Sequence, residues 1–256
     1  MKSSNVAALA ALSVMSSTTF AGSPDPQSAV LRFSDGRPPA HRIEEINAVL
    51  GSVGVHLSRI TLPESARPLL ATSANAPLSA VQQRELLTTF ALSREDVLEQ
   101  IRLAGRQPVL PQGGSLVTRE SGVPPYPKVY DLKAMSASDR VAARDKFVRL
   151  HVNATDDGVG VDEVMTLVAG GPWTWYFLLA KDVVGELQMA RITPGVTGWR
   201  LSYPGLTPHG GHFHAEDGLV VAYITGPEEW QMRYRAPSVL GAAMLGKNPW
   251  IDFGAR

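Results

Sequence analysis

Histidine is the residue type whose placement in this sequence most clearly suggests chemistry. The chain has six histidines, and four of them lie in its C-terminal half: His151, His209, His212 and His214. Residues two apart in a β-strand share a face, so His212 and His214 can direct two imidazoles towards one point, with His209 a turn away. Imidazole suits Fe, Ni, Cu and Zn ions. The spacing therefore predicts a divalent metal site; the alternative is a solvated turn whose histidines bind nothing.

Carboxylates would complete such a site, and the choice of other ligands is narrow. Glu163, Glu216 and Asp217 are the acidic residues near the histidines in sequence or by plausible strand pairing. The sequence has no cysteine, which excludes disulfides, thiolate catalysis and Cys-ligated zinc or iron–sulfur sites. Histidine, aspartate and glutamate remain as the available ligands.

Charge and motif content argue against several other classes of function. Lys and Arg together number 24, as do Asp and Glu, so no net field attracts a polyanion and nucleic acid is not an expected partner. The sequence contains neither a Gly-x-Ser-x-Gly elbow nor a P-loop, which are the signatures of common hydrolases and nucleotide-binding proteins.

The N-terminal residues predict export. Lys2 precedes an apolar run at residues 6–15, and small residues lead to a cleavage position after Ala21. We expect a signal peptide over residues 1–21, a linker over 22–27 and a periplasmic or secreted protein that is not membrane-bound once the signal is cleaved. A cytoplasmic protein with an N-terminal extension is the alternative.

The elements that must position the histidines fall into two regions. Residues 28–127 form an N-terminal region of helices and strands that is expected to pack on a barrel, and its Pro- and Gly-rich end, 107–127, reads as a connection. Its predicted strands are 29–33 and 55–62, and its predicted helices are 42–50, 79–90 and 93–104.

Residues 128–256 have the rhythm of a β-barrel. After a short predicted helix at 138–146, runs rich in β-branched and aromatic residues alternate with glycines. The predicted strands are 147–152, 163–168, 174–179, 185–192, 199–203, 219–224 and 229–234. The predicted fold class is mainly β, with an N-terminal α/β extension and flanking helices.

Two segments of this region resemble the metal motifs of the acireductone dioxygenases. Residues 144–151, followed by Asp162-Glu163-Val164, resemble the first motif, His-x-His-x-x-x-Glu, and residues 201–209 resemble the segment that carries the last ligand. The resemblance implies a cupin-type barrel, a double-stranded β-helix. It also implies that His151, Glu163 and His209 are metal ligands.

The chain departs from the family pattern at three places. Asn153 stands where the family has its second histidine, residues 154–160 are inserted before Glu163, and Met165 replaces an arginine. Two histidines and one carboxylate still suffice for a non-haem Fe(II) site. Asn153, His212 and His214 are the additional candidates for contacts with metal or substrate.

The resemblance implies a metal-dependent dioxygenase that uses O2 to cleave an acireductone-like enediol, a small-molecule substrate. One divalent metal is expected, Fe2+ in the first place and Ni2+ as the alternative. Two other functions stay open: an exported cupin that binds a small molecule without oxygenase activity, and a metal-dependent lyase or isomerase. The sequence predicts neither the catalytic groups beyond the ligands nor the oligomeric state.

Overall fold

The computed structural model of the chain describes residues 28–108, 119–120, 127–193, 197–213 and 215–253. The predicted signal peptide (1–21), the predicted linker (22–27), His214 and most of the connection at 107–127 lie outside these ranges. Export therefore stays a prediction. Among the described residues, none of the helices combines the length and the apolar character needed to cross a membrane.

In the described part of the chain, five α-helices flank the strands, and a serine caps the start of three of them. The helices are α1 (Ile43–Leu50), α2 (Arg67–Asn75), α3 (Ala80–Thr89), α4 (Arg94–Leu103) and α5 (Ala137–Phe147). Ser79, Ser93 and Ser136 cap α3, α4 and α5, and in each case the side chain of the residue three positions later accepts a hydrogen bond from the backbone N–H of the serine.

The strands that the structure describes form three sheets. They are β1 (Ala29–Phe33), β2 (His56–Thr61), β3 (Arg119–Glu120), β4 (Lys128–Asp131), β5 (Val152–Ala154), β6 (Asp162–Gly170), β7 (Trp173–Ala180), β8 (Val183–Met189), β9 (Thr197–Pro204), β10 (His209–His212), β11 (Gly218–Thr225) and β12 (Glu229–Arg233). Their orders are β1-β8-β7-β10, β2-β9-β6-β11-β4 and β3-β12-β5. The N-terminal region thus contributes β1 and β2 to the edges of the two larger sheets.

Strand β6 is the central strand of the five-stranded sheet and is buried on both faces. Glu163 and Met165 face a cavity inside the barrel, whereas α2 and α4 pack against the strand from outside. A strand covered on both sides reads as a continuous apolar run, which is the pattern of residues 164–169 with the exception of Thr166.

A buried ion pair fixes the outer face of the same strand. The guanidinium of Arg106 bonds to Asp162, and its second nitrogen donates to the Ser202 hydroxyl at 2.7 Å. Both charged side chains are almost fully buried. These contacts join the end of the N-terminal helical region to β6, which carries Glu163, and to the adjacent strand β9.

One predicted strand is wrong. The run at 147–152 was expected to be extended, but α5 continues to Phe147 and the amide of Val148 still donates to the carbonyl of Arg144 at 3.0 Å. The strand begins only at Val152. Apolar spacing alone does not separate the last turn of a capped helix from the start of a strand. The other predicted strands and helices are present within a few residues of the expected bounds.

Candidate metal centre

A cavity enters the barrel between the sheets. Four of its polar side chains come from three strands or their ends: His151 and Asn153 from β5, Glu163 from β6 and His209 from β10. The rest of its wall is largely aromatic, with Tyr130, Phe147, Trp175, Tyr203, Phe213 and Trp230. The cavity thus has one polar end in an otherwise apolar wall, which is the usual composition of a small-molecule site.

His151 and His209 are held opposite each other by backbone pairing. Each amide donates to the carbonyl of the other residue, at 2.9 and 3.0 Å, in an isolated antiparallel bridge. Paired residues of an antiparallel bridge project their side chains from the same face. The two imidazole rings therefore lie with their centroids 4.5 Å apart.

The same backbone also fixes which nitrogen of each ring is available. Nδ1 of His151 lies 2.7 Å from the carbonyl of Arg149, and Nδ1 of His209 lies 2.8 Å from that of Thr207. A carbonyl only accepts, so each Nδ1 carries the hydrogen and each Nε2 keeps its lone pair in the neutral ring. Metal-binding histidines are oriented in this way by their second nitrogen.

Both imidazoles are neutral near pH 7. Burial lowers the pKa of His209 to about 4, against the partly opposing effect of its bond to the carbonyl of Thr207. Burial lowers the pKa of His151 well below its usual value, and the neighbouring His209 and Lys146 lower it further. Neutral rings can donate their Nε2 lone pairs to a cation without first losing a proton.

The carboxylate of Glu163 lies beside His209, with 3.5 Å between Oε1 and Nε2. Its other oxygen, Oε2, accepts a hydrogen bond from the hydroxyl of Tyr203 at 3.1 Å. Burial raises the pKa of Tyr203 well above its usual value, and the Glu163 charge raises it further, so the phenol stays protonated and remains a donor. Tyr203 thereby orients the carboxylate.

Asn153 lies between these groups. Its Nδ2 donates to Oε1 of Glu163 at 2.7 Å and lies 3.4 Å from Nε2 of His209. Its Oδ1 is buried and has no hydrogen-bond partner among the described residues. A tight turn at 155–159 returns the chain from β5 to β6, and Asn153 lies beside Glu163.

The donor set fits a divalent metal ion, although it is not yet gathered around one point. Within the described ranges, no three His, Asp or Glu side chains already form a group that could hold a metal. The two imidazole lone pairs, the oriented carboxylate and the unsatisfied amide oxygen of Asn153 nevertheless all belong to one end of one cavity. These are the ligand types that first-row divalent ions accept.

Comparison with known proteins supports the architecture. No family model matches the sequence, and no curated protein is significantly similar to it. Among solved structures, the chain is similar to an acireductone dioxygenase from Bacillus anthracis with a cadmium ion in its active centre, with a TM-score of 0.52 and 15% identity over 78% of this chain and 93% of that chain. The fold is a cupin-type barrel. At this level of identity the likeness shows the fold alone, and it confirms the predicted fold class.

In the cupin-type barrel, His151, Asn153, Glu163 and His209 meet, and His212 does not join them. The sequence suggested that His212 and His214 share the strand while His209 lies a turn away. Instead, β10 begins at His209 and pairs with β7, so His209 and Gly211 face the cavity and His212, at an odd spacing from His209, belongs to the opposite face. His214 lies outside the described residues.

The other acidic candidates do not line the cavity of the barrel. Asp217 is held at the surface by Arg191, whose Nη1 donates to it at 2.8 Å, and Glu216 is absent from the described cavity wall. The residue that sequence reasoning missed is Tyr203, which pairs directly with Glu163 across β6 and β9. Its alternation with Leu201 marked a strand. The pairing of Tyr203 with Glu163 depends on the register of β6 and β9, which is set only in the folded sheet.

Proposed function

We propose that this cupin-type barrel is a metal-dependent dioxygenase that binds one divalent ion through His151, Glu163 and His209. The observation that carries the proposal is the matched pair of neutral imidazoles, each fixed through Nδ1 by a backbone carbonyl and each lining the same cavity as an oriented carboxylate. The solved structure to which the fold is similar has a cadmium ion in its active centre, which supports the proposal that this barrel binds a divalent metal.

The substrate we propose is a small enediol, an acireductone-like molecule, and the co-substrate is O2. A divalent metal held by His151, Glu163 and His209 would supply Lewis acidity that favours deprotonation of such a molecule. The protein supplies the geometry: the carbonyls of Arg149 and Thr207 orient the imidazoles, and the hydroxyl of Tyr203 orients Glu163. Fe2+ is the metal we propose first, and Ni2+ is the alternative.

The aromatic wall excludes water and sets the character of the substrate. Phe213 stands at its centre, with ring centroids 5.6 Å from Phe147, 5.9 Å from Trp175 and 6.2 Å from Tyr130. Met165, which replaces the family arginine, lines the same cavity, and no Lys or Arg is among the described residues of the wall. We therefore propose an enediol with an apolar or aromatic substituent rather than an anionic one.

Oxygen consumption tests this proposal. Protein loaded with Fe2+ under anaerobic conditions should consume O2 when a synthetic acireductone with an apolar side chain is added, and mass spectrometry should detect a carboxylate and a 2-oxo acid. Glu163→Gln should remove this activity, and Ser58→Ala, on the edge strand β2, is the control. Metal-loaded protein that consumes no O2 with any acireductone would exclude the proposed reaction.

One observation favours a second candidate, a small-molecule-binding protein without oxygenase activity. The amide of Asn153 already bonds to Glu163, which makes a hydrogen-bonded polar end that needs no metal. The two functions differ in the effect of a chelator: a protein that only binds would still take up an apolar ligand after metal removal, which would be seen as quenching of the total tryptophan fluorescence. The dioxygenase requires the metal.

A further inference from the structure

The side chain of Asn153 is satisfied at only one of its two ends. Its Nδ2 donates to Glu163 at 2.7 Å and approaches Nε2 of His209 to 3.4 Å, whereas its buried Oδ1 has no hydrogen-bond partner among the described residues. An unpaired buried acceptor is unfavourable. The amide therefore lies between two proposed ligands, while its own oxygen has no hydrogen-bond partner among the described residues.

In the other orientation, the Asn153 amide would need a cation beside its oxygen. Rotation by half a turn about the Cβ–Cγ bond would place Oδ1 where Nδ2 now lies, beside the Glu163 carboxylate and the lone pair of His209 Nε2. Three acceptors would then face one another, an arrangement that is unfavourable unless a cation lies between them. Amide oxygen is an established ligand of divalent ions.

Only the side chain is free to make this change. The backbone of Asn153 is fixed on both sides, because its amide donates to the carbonyl of Gly205 at 2.8 Å and its carbonyl accepts from Val161 at 3.2 Å. The residue is 3% exposed. Rotation of the amide in place is therefore the available response to a cation at the polar end of the cavity.

We infer that Asn153 is a reversible metal ligand. Without metal its Nδ2 bridges Glu163 and His209 and holds the place of the ion; when a divalent metal binds, the amide turns and Oδ1 becomes a ligand with His151, Glu163 and His209. This inference rests on the proposed metal centre. It gives the site one neutral oxygen ligand beside the two imidazoles and the carboxylate.

The orientation of the amide is directly measurable by NMR in the unmodified protein, with Zn2+ as the diamagnetic probe. On saturation with Zn2+, the 13Cγ resonance of Asn153 should move downfield, and its side-chain amide protons should lose the shift caused by the bond to Glu163. Asn248 is the matched control, since it is equally buried but bonded at both ends, to Val148 and Trp250. Its resonances should not change.

Two variants separate the oxygen of Asn153 from its N–H donor. Asn153→Asp keeps an oxygen and loses the donor, so it should bind Zn2+ at least as tightly as the original protein in competition with a chelator. Asn153→Ala loses both and should bind about 10-fold or more weakly, the scale of loss for even an outer-shell partner.

The outcomes distinguish this inference from the proposed function. If Zn2+ binds but the Asn153 resonances stay unchanged and Asn153→Ala binds as tightly as the original protein, the amide is not a ligand and the metal centre stands without it. If the original protein binds no Zn2+ at all, the metal centre and the role of Asn153 fail together.

Discussion

His151 and His209 exchange both hydrogen bonds of an antiparallel bridge, so their imidazoles face the same cavity although they are far apart in sequence. The pairing links the residue before β5 to the first residue of β10. The position of each ring thus depends on the backbone, and each ring is fixed further by a carbonyl two residues earlier in the chain.

Replacement of either histidine should remove the metal. His151→Ala and His209→Ala are each expected to weaken Zn2+ or Fe2+ binding by about 100-fold or more, since a loss of about 10- to 100-fold follows even from removing an outer-shell partner. His212→Ala is the matched control, because His212 lies in the same strand as His209 but on the opposite face. This variant should bind metal as tightly as the original protein does. Elemental analysis after dialysis measures the difference.

His214→Ala extends this test to a residue outside the described ranges. Near-normal metal content is expected if His151, Glu163 and His209, with Asn153, form the set of ligands. Loss of metal in His214→Ala alone, with metal retained in His209→Ala, would show that the ligands were assigned to the wrong histidines.

Removal of the hydroxyl of Tyr203 should loosen the carboxylate of Glu163. Tyr203→Phe keeps the ring in the cavity wall but deletes the donor to Oε2, and we expect metal affinity to fall by about 10-fold. Tyr223→Phe is the control, because the hydroxyl of Tyr223 bonds to the amide of Leu92 instead. Equal effects of the two variants on metal affinity would mean that the Tyr203 hydroxyl does not orient the ligand.

The metal-free protein should lose stability as the pH falls from about 6.5 to about 4. The pKa of His209 is about 4 in the native state, against an ordinary value of 6.5, so between these values the unfolded chain takes up a proton that the native protein does not. Above about pH 6.5, the free energy of unfolding is therefore at its full value. His209 should account for a loss on the order of 3 kcal/mol, and His151 acts in the same direction.

Urea unfolding in the presence of a chelator, near pH 7.5 and near pH 4.5, measures this loss. His209→Gln removes one titrating group and should lose less stability between the two pH values than the original protein. An equal loss in both proteins would show that the burial of neutral His209 does not contribute.

Gly205 should not tolerate a side chain. A Cβ at this position would lie 2.5 Å from the carbonyl oxygen of Asn153 and 2.9 Å from that of Val161, so Gly205→Ala must displace β5 or β6. We expect a loss on the order of 1 to 3 kcal/mol in the free energy of unfolding. Gly51→Ala is the control, because a Cβ there meets nothing within 4 Å, and its stability should be unchanged or slightly higher.

Local signals in the sequence were sufficient for most helices and strands. The helical spacing of apolar residues marked α3 and α4, and the alternation of apolar residues marked β2. Helix α2 was not predicted, and no side chain caps its N-terminus as Ser79 and Ser93 cap α3 and α4. Its position depends on packing against β6 and β11.

The site was only partly predictable, because long-range pairing assembles it. Gly210 and Gly211 read as a turn, but they are the middle of β10, which β7 holds in an extended conformation. The bond between Asn153 and Glu163 depends on the tight turn of the insertion, and the contact of Tyr203 with Glu163 depends on the register of β6 and β9. No local pattern contains these relationships.

The metal content of the purified protein tests the central claim most directly. Protein prepared without chelators should contain close to one divalent metal ion per chain by elemental analysis, and metal-free protein should gain thermal stability when Fe2+, Ni2+, Mn2+ or Zn2+ is added, because a ligand that binds the native state stabilises it. Protein that contains no metal and shows no thermal shift with any of these four ions would contradict the metal centre.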